Sequence, residues 1–104
     1  MNNRLENLLK LLPDQPHDSF LNHAIALEYL KINELSKARQ HFETVLEYNE
    51  NYIGTYYHLA NLLIELSELD LAKIYFEKGM EIAKSLKDSH SFNELLMVYD
   101  ENFT

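Results

Sequence analysis

Leu5, Leu8, Leu9 and Leu12 recur at three- and four-residue spacing, the mark of a helix with one apolar stripe. The stripe predicts a first helix ending near Leu12, because Pro13-Asp14-Gln15-Pro16 follows and each proline disfavours helical geometry in the residue before it. A helix that short is marginal alone, so its leucines must lie on another element. Beyond the break, Asp18 or Ser19 is placed to cap a second helix by accepting an early backbone N–H. Phe20, Ala24, Leu27 and Lys31 trace one face of that helix and Leu21, Ile25, Tyr29 and Ile32 another, which predicts packing on two sides. Asn33 tolerates left-handed backbone and marks a turn. Leu35 then opens a new stripe through Ala38, Phe42, Val45 and Leu46, completing a helical hairpin.

The polar run Tyr48-Asn49-Glu50-Asn51 breaks the chain again, and the design repeats. Tyr56, Leu59, Ala60 and Leu63 line one helix, and Leu69, Ala72, Phe76 and Met80 line its partner. Lys87-Asp88-Ser89 marks a last turn, and Ser91-x-x-Glu94 reads as a capping box before Leu95, Leu96, Val98 and Tyr99. Six helices are expected, with Glu101 to Thr104 frayed.

Shifting the chain by 34 residues superposes its middle third on its last third. Ala26, Glu34, Leu35, Ala38, Phe42, Glu43 and Glu47 meet Ala60, Glu68, Leu69, Ala72, Phe76, Glu77 and Glu81. Seven identities exceed several-fold the roughly two that average composition yields by chance. The period and its residues resemble the tetratricopeptide repeat, two antiparallel helices, A and B, spread over 34 residues. The small residue of helix A is Ala26 and Ala60, with Tyr29 and, more loosely, Leu63 as the large residue three positions on. The alanine of helix B is Ala38 and Ala72, and the aromatic four later is Phe42 and Phe76. The early aromatic of helix A appears only as Tyr56, with Asn22 in the other copy. The junction proline is present once, as Pro16, and is replaced by Glu50 and Lys84. In this phase residues 19–52 and 53–86 are full repeats, residues 1–18 resemble a trailing helix B, and residues 87–104 hold a leading helix A that caps the stack, with a tail. The whole pattern is similar to small stand-alone bacterial proteins of this family.

The resemblance implies an all-α, right-handed superhelix of antiparallel hairpins, A helices lining a concave groove and B helices outside. It also implies a non-catalytic protein–protein interaction module that takes a peptide or helix in that groove. The family's groove positions fall on Phe20, His23, Leu27 and Leu30, on Tyr57, Asn61 and Ile64, and on Asp88, Ser91 and Leu95. Leu27, Leu30, Ile64 and Leu95 serve slightly better as filling between helices than as ligand contacts. Phe20, His23, Leu27, Tyr57, Asn61, Asp88 and Ser91 are the partner-binding set that the resemblance implies. Phe20, Leu27 and Tyr57 would hold an apolar anchor, while Asn61 would bond a backbone as donor and acceptor. The carboxylate clamp of chaperone-binding relatives is missing, for its basic positions hold His23, Asp88 and Phe92.

Composition narrows the function further. Nine Lys and Arg against 17 Asp and Glu leave a net charge of -8, which disfavours a nucleic-acid partner. No run is apolar enough to cross a bilayer, the densest, Leu59 to Leu66, being broken by Asn61 and Glu65. Residues 1–12 lack a continuous apolar core and a cleavage site, and cysteine is absent, so a cytoplasmic, reducing location is expected. Length predicts one domain.

His17, His23, His41, His58 and His90 include no His-x-x-x-His pair, so no metal site is expected. No nucleophile elbow or glycine-rich phosphate loop occurs, the glycines being Gly54 and Gly79, and neither a cofactor nor catalysis is expected. Gly79 sits where the family takes small residues, so packing explains it. Glu43, Glu47, Glu77 and Glu81 read as solvated acidic ridges. Tyr52, Tyr56, Tyr57 and Tyr99 are too many to be buried together, and exposed aromatics favour interfaces. The alternative function is therefore a homodimer or larger self-assembly through the terminal helices, using Leu96, Val98, Tyr99 and Phe103.

Overall fold

Six helices follow one another in the computed structural model, which describes residues 3–103: α1 (Asn3–Leu11), α2 (Ser19–Lys31), α3 (Leu35–Tyr48), α4 (Ile53–Glu65), α5 (Leu69–Ser85) and α6 (Ser89–Phe103). No strand occurs among the described residues. Met1 and Asn2 of the expected leading half-repeat, and Thr104 of the expected frayed tail, lie outside them.

Three turns share one device. Asn33, Ser67 and Lys87 take left-handed backbone, with φ of 60°, 63° and 58°. In each case the next residue's N–H donates to a carbonyl five positions back: Glu34 to Tyr29 at 2.9 Å, Glu68 to Leu63 at 2.8 Å and Asp88 to Ala83 at 2.9 Å. This closure satisfies carbonyls that a helix end would otherwise leave bare. The carbonyls of Glu34, Glu68 and Asp88 then accept the N–H of Ala38, Ala72 and Phe92, so the next helix begins with no spare residue. Asp88 adds a side-chain cap, its Oδ1 accepting the Ser91 N–H at 3.0 Å. Ser91 is thus the third residue of α6 and not its cap. The left-handed turn at Lys87 fixes the helix start three positions before the expected capping box, and Glu94 lies instead beside His90 at 3.9 Å. Asp18 caps α2 in the same way, accepting the Leu21 N–H at 2.8 Å.

The helices gather into two compact units, Met1–Tyr52 and Ile53–Thr104. In the first, the leucine stripe of α1 finds its cover: Leu5, Leu8, Leu9 and Leu12 pack with Leu21, Ile25 and Tyr29 of α2. Glu28, only 4% exposed, ties the same two helices together by accepting from Arg4 Nε at 3.3 Å and Lys31 Nζ at 2.9 Å. Its equivalent one repeat later is Leu62, also buried.

α3 closes the other side of α2 through Ala38, Phe42 and Val45, all without exposed surface. The seam between the two helices holds a polar junction. Asn22, 1% exposed, donates through Nδ2 to the carbonyls of Pro16 at 3.0 Å and Asp18 at 2.9 Å. Both partners can only accept, so the amide orientation is fixed and Oδ1 points at His41 Nδ1, 2.9 Å away. His41 therefore carries its proton on Nδ1, with its ring stacked on Tyr29 at 5.7 Å. Burial holds the His41 pKa below its ordinary 6.5.

In the second unit the same seam is aromatic. Residues 34 positions after Asn22 and His41 are Tyr56 and Tyr75, whose ring centroids stand 6.4 Å apart. Tyr56 is 1% exposed, and Gly79 of α5 leaves it room: a Cβ there would lie 2.8 Å from Tyr56 Cβ and 3.0 Å from Leu95 Cδ1. Of the four tyrosines expected to compete for burial, only Tyr56 is buried, and Tyr52, Tyr57 and Tyr99 are half-buried. The helix of α6 runs through Glu101 and Asn102 to Phe103, where fraying was expected. The reason is packing: the Phe103 ring lies 6.0 Å from Phe76 and 5.3 Å from Tyr99.

Two outcomes follow from this packing. Gly79→Ala lowers stability by about 1–2 kcal/mol in urea denaturation, because overpacking outweighs the helix propensity gained. Gly54→Ala, where a Cβ meets nothing within 4 Å, leaves stability equal or raises it by about 0.5 kcal/mol. Stability also falls with acidity. The unfolded chain binds a proton at His41 near the ordinary value of 6.5 and the folded chain only at lower pH, so stability is complete above 6.5 and declines as pH drops through the folded pKa. His58, whose pKa burial also lowers against the opposing effect of Glu94, adds to the decline. Denaturation at pH 7.5 and 5.5 should show the loss in the wild type and a smaller loss in His41→Gln, His58→Gln.

Candidate functional site

The expected binding residues fall in both units. On α2, Phe20, His23 and Leu27 stand at i, i+3 and i+7, one helical face. Phe20 is 68% exposed, whereas Leu27 and Leu30 are half-buried. His23 is half-buried and held by two rings, edge-on to Phe42 at 5.5 Å and stacked on Tyr52 at 5.4 Å. The face thus offers one solvated aromatic beside an imidazole fixed in place by its neighbours.

In the second unit, Tyr57 and Asn61 stand one turn apart on α4, both half-buried. Asn61 Nδ2 donates to the Tyr57 carbonyl at 2.9 Å, which orients the amide and leaves its second N–H and its oxygen for another partner. Ile64 is half-buried, and Leu95 is fully buried as a core residue. Asp88 and Ser91 engage each other: the Ser91 N–H donates to Oδ1 and its hydroxyl to Oδ2 at 2.7 Å. These two bonds, the backbone one foremost, hold the Asp88 carboxyl below its ordinary range. The pair therefore presents a charged, capped turn.

The residues expected to mediate self-association are partly consumed within the chain. The Tyr99 hydroxyl donates to Glu77 Oε2 at 2.9 Å, a bond that raises the phenol pKa. Phe103 packs on Phe76, and Leu96 and Val98 are half-buried. Met97, which the sequence reading left aside, is the exposed apolar residue of α6 at 60%.

A second feature escaped the sequence reading. A shallow cleft runs between α5 and α6, with a cavity of about 300 Å³ at the end lined by Ala83, Lys84, Lys87, Asp88, Ser89 and Phe92. A neighbouring cavity of about 410 Å³, lined by Glu77, Met80, Glu81, Lys84 and Phe92, continues it. The signal in the sequence was that Lys84 on the same helix and Lys87 in the turn beyond it follow Glu77 and Glu81, which does not show that α6 sets Phe92 against them.

Among the described residues no group of His, Asp or Glu is placed to hold a metal ion, and no helix is long and apolar enough to cross a membrane.

Comparison with known proteins agrees with the repeat. The family model described as tetratricopeptide repeat matches residues 21–52 and 53–86. No curated protein matches the chain. Among solved structures, the crystal structure of a tetratricopeptide repeat domain protein from Salinibacter ruber is 33% identical, with a TM-score of 0.78, covering 82% of this chain and 94% of that one. A solution NMR structure of a tetratricopeptide repeat domain protein from the same organism is 32% identical, with a TM-score of 0.80, covering 86% and 90%. The crystal structure of MamA is 19% identical, with a TM-score of 0.72 over 93% of this chain and 67% of that one, a likeness of fold alone. With both hairpins matched in register and their seams in place, the chain belongs to the tetratricopeptide repeat family.

Proposed function

We propose that the chain is a non-catalytic module that recognises a peptide or helix of a protein partner through its A helices. Tetratricopeptide repeats are generally protein–protein interaction modules. The observation that carries the finer reading is Phe20, a large aromatic left 68% exposed on a helix whose neighbours Leu21, Ala24 and Ile25 are buried. Exposed aromatics of this kind anchor interfaces, since they bring much area at little entropic cost. His23 and Leu27 extend that anchor along α2, and Tyr57 with Asn61 supplies a ring and a directional amide on α4. Asp88 and Ser91 enter as the capped turn they form together, so that a partner meets a fixed negative charge there. With a net charge of -8, approach of a basic segment is favoured over an acidic one.

Self-association through Leu96, Val98, Tyr99 and Phe103 is the weaker reading, because Tyr99 and Phe103 already bond and pack within their own unit. The test is capture from native lysate on immobilised wild type, beside Phe20→Ala and the Tyr57→Ala, Asn61→Ala double variant. Their fold is verified by circular dichroism. A protein held by wild type and lost at least tenfold from both folded variants is the expected result. Equal retention by all three removes the A-helix faces from recognition, and recovery of the chain itself as sole prey turns the reading to self-association.

A further inference from the structure

α4 and α6 begin alike, and aligning their first residues, Ile53 with Ser89, places equivalent positions 36 apart. The buried positions of α4 are Thr55, Tyr56, Leu59, Ala60, Leu62 and Leu63. Their counterparts on α6 are Ser91, Phe92, Leu95, Leu96, Val98 and Tyr99, of which only Leu95 is buried. The difference has a visible cause at one position. Tyr56 is closed over by α5, through Gly79 and Tyr75. Phe92 has the Lys84 ammonium 5.7 Å from its ring centre and otherwise lines the open cleft between α5 and α6. α6 thus has the apolar pattern of a helix covered on that side, and among the described residues no helix covers it.

The cleft also has a polarity. Tyr99 meets Glu77 while Phe92 meets Lys84, so α5 and α6 run antiparallel. Glu77 and Glu81 stand at the end near the C-terminus of α6, and Lys84 and Lys87 at the end near its start, where the Asp88 carboxylate offsets part of their charge, with Met80 and Phe92 between. From Glu77 to Lys84 the apolar floor spans about 10 Å, two helical turns. We propose that this cleft seats an amphipathic helix of a protein partner, antiparallel to α6, with basic residues in its first half and acidic residues in its second. Charge and helix dipole then agree. The positive N-terminal end of the incoming helix meets Glu77 and Glu81, and its negative C-terminal end meets Lys84 and Lys87. The hot spot is apolar, a large side chain between Met80 and Phe92, and the flanking charges set direction. This surface lies outside the A-helix set apart from Asp88, so it stands or falls separately from the function proposed above.

α3 of this chain has the required order, Lys37 and Arg39 followed by Glu43 and Glu47, with Phe42, Val45 and Leu46 as apolar face. A synthetic peptide of residues 35–48, blocked at both ends, is therefore the probe. It is titrated into the full-length, isotope-labelled protein with amide shifts followed by NMR. The expected result is shifts centred on Met80, Lys84 and Phe92, and an affinity at least tenfold weaker for the peptide with Lys37→Glu, Arg39→Glu, Glu43→Lys and Glu47→Lys. The protein variant Lys84→Glu, Lys87→Glu, which changes exposed side chains only, should lose affinity for the first peptide and gain it for the second. Absence of shifts in the cleft at millimolar peptide overturns the proposal, as does an affinity indifferent to reversed charge.

Discussion

Everything in either unit depends on the seam where an A helix meets its B helix. The helices are 9 to 17 residues long, a length at which isolated helices are marginal in water, so each persists because its neighbour buries its apolar face. The seam is narrow. Ala26, Ala38, Ala60 and Ala72 have no exposed surface, and Gly79 allows contact too close for any Cβ. Phe42 and Phe76, fully buried, each contribute roughly 1.5–3 kcal/mol by leaving water. The left-handed turns at Asn33 and Ser67 hold the seam in register, because the carbonyl of the next residue already starts the second helix.

One seam is built from two chemistries. In the first unit Asn22 and His41 meet through a hydrogen bond, and in the second Tyr56 and Tyr75 meet through their rings. The polar version is fully satisfied: Asn22 binds two loop carbonyls as well as His41, so the Pro16–Asp18 approach to α2 is tied to the hairpin it precedes. A buried amide gives direction that an apolar side chain cannot, at the expense of sensitivity to anything that disturbs its partners. Glu28 follows the same logic. A buried carboxylate needs compensating partners, and by accepting from Arg4 of α1 as well as from Lys31 it ties α1 to α2. The first unit is thus ordered by polar ties and the second by close packing around Tyr56.

The surface left over carries the functional argument. Phe20 stands in solvent on α2, while Tyr99 and Phe103, comparable in size, turn inward onto α5. The contrast matters because an aromatic left exposed by a fold able to bury others is available for a partner. The α5–α6 cleft is the other open surface, acidic at Glu77 and Glu81 and mixed at Lys84, Lys87 and Asp88, and in the docking proposed for it this asymmetry sets the direction of an incoming helix.

The six helices, the turn at Asn33 and the tetratricopeptide repeat were legible in the sequence alone, because apolar period and turn chemistry are local properties. Leu35, Ala38, Phe42 and Val45 name their face whatever lies opposite, and Asn33 names its turn through its own backbone tolerance. The start of α6 was misread because a serine with a glutamate three on is a plausible cap, and only the closure at Lys87 made Asp88 the cap. The tail was misread as frayed because contact with Tyr99, one turn back, does not by itself hold a helix end; Phe76, 27 residues earlier, adds the tertiary contact that does. For the expected binding residues, the face on each helix was legible in the spacing. Exposure was decided by what else packs there: Phe20 stays in water, His23 is fixed between two rings, and Leu95 is taken into the core. Glu28 and the α5–α6 cleft were invisible in one dimension, since burial of a charge and concavity between helices are relations among residues distant in the chain. Tertiary structure alone decides such relations, because burial and charge pairing depend on distance in space, whereas helical period depends only on distance along the chain.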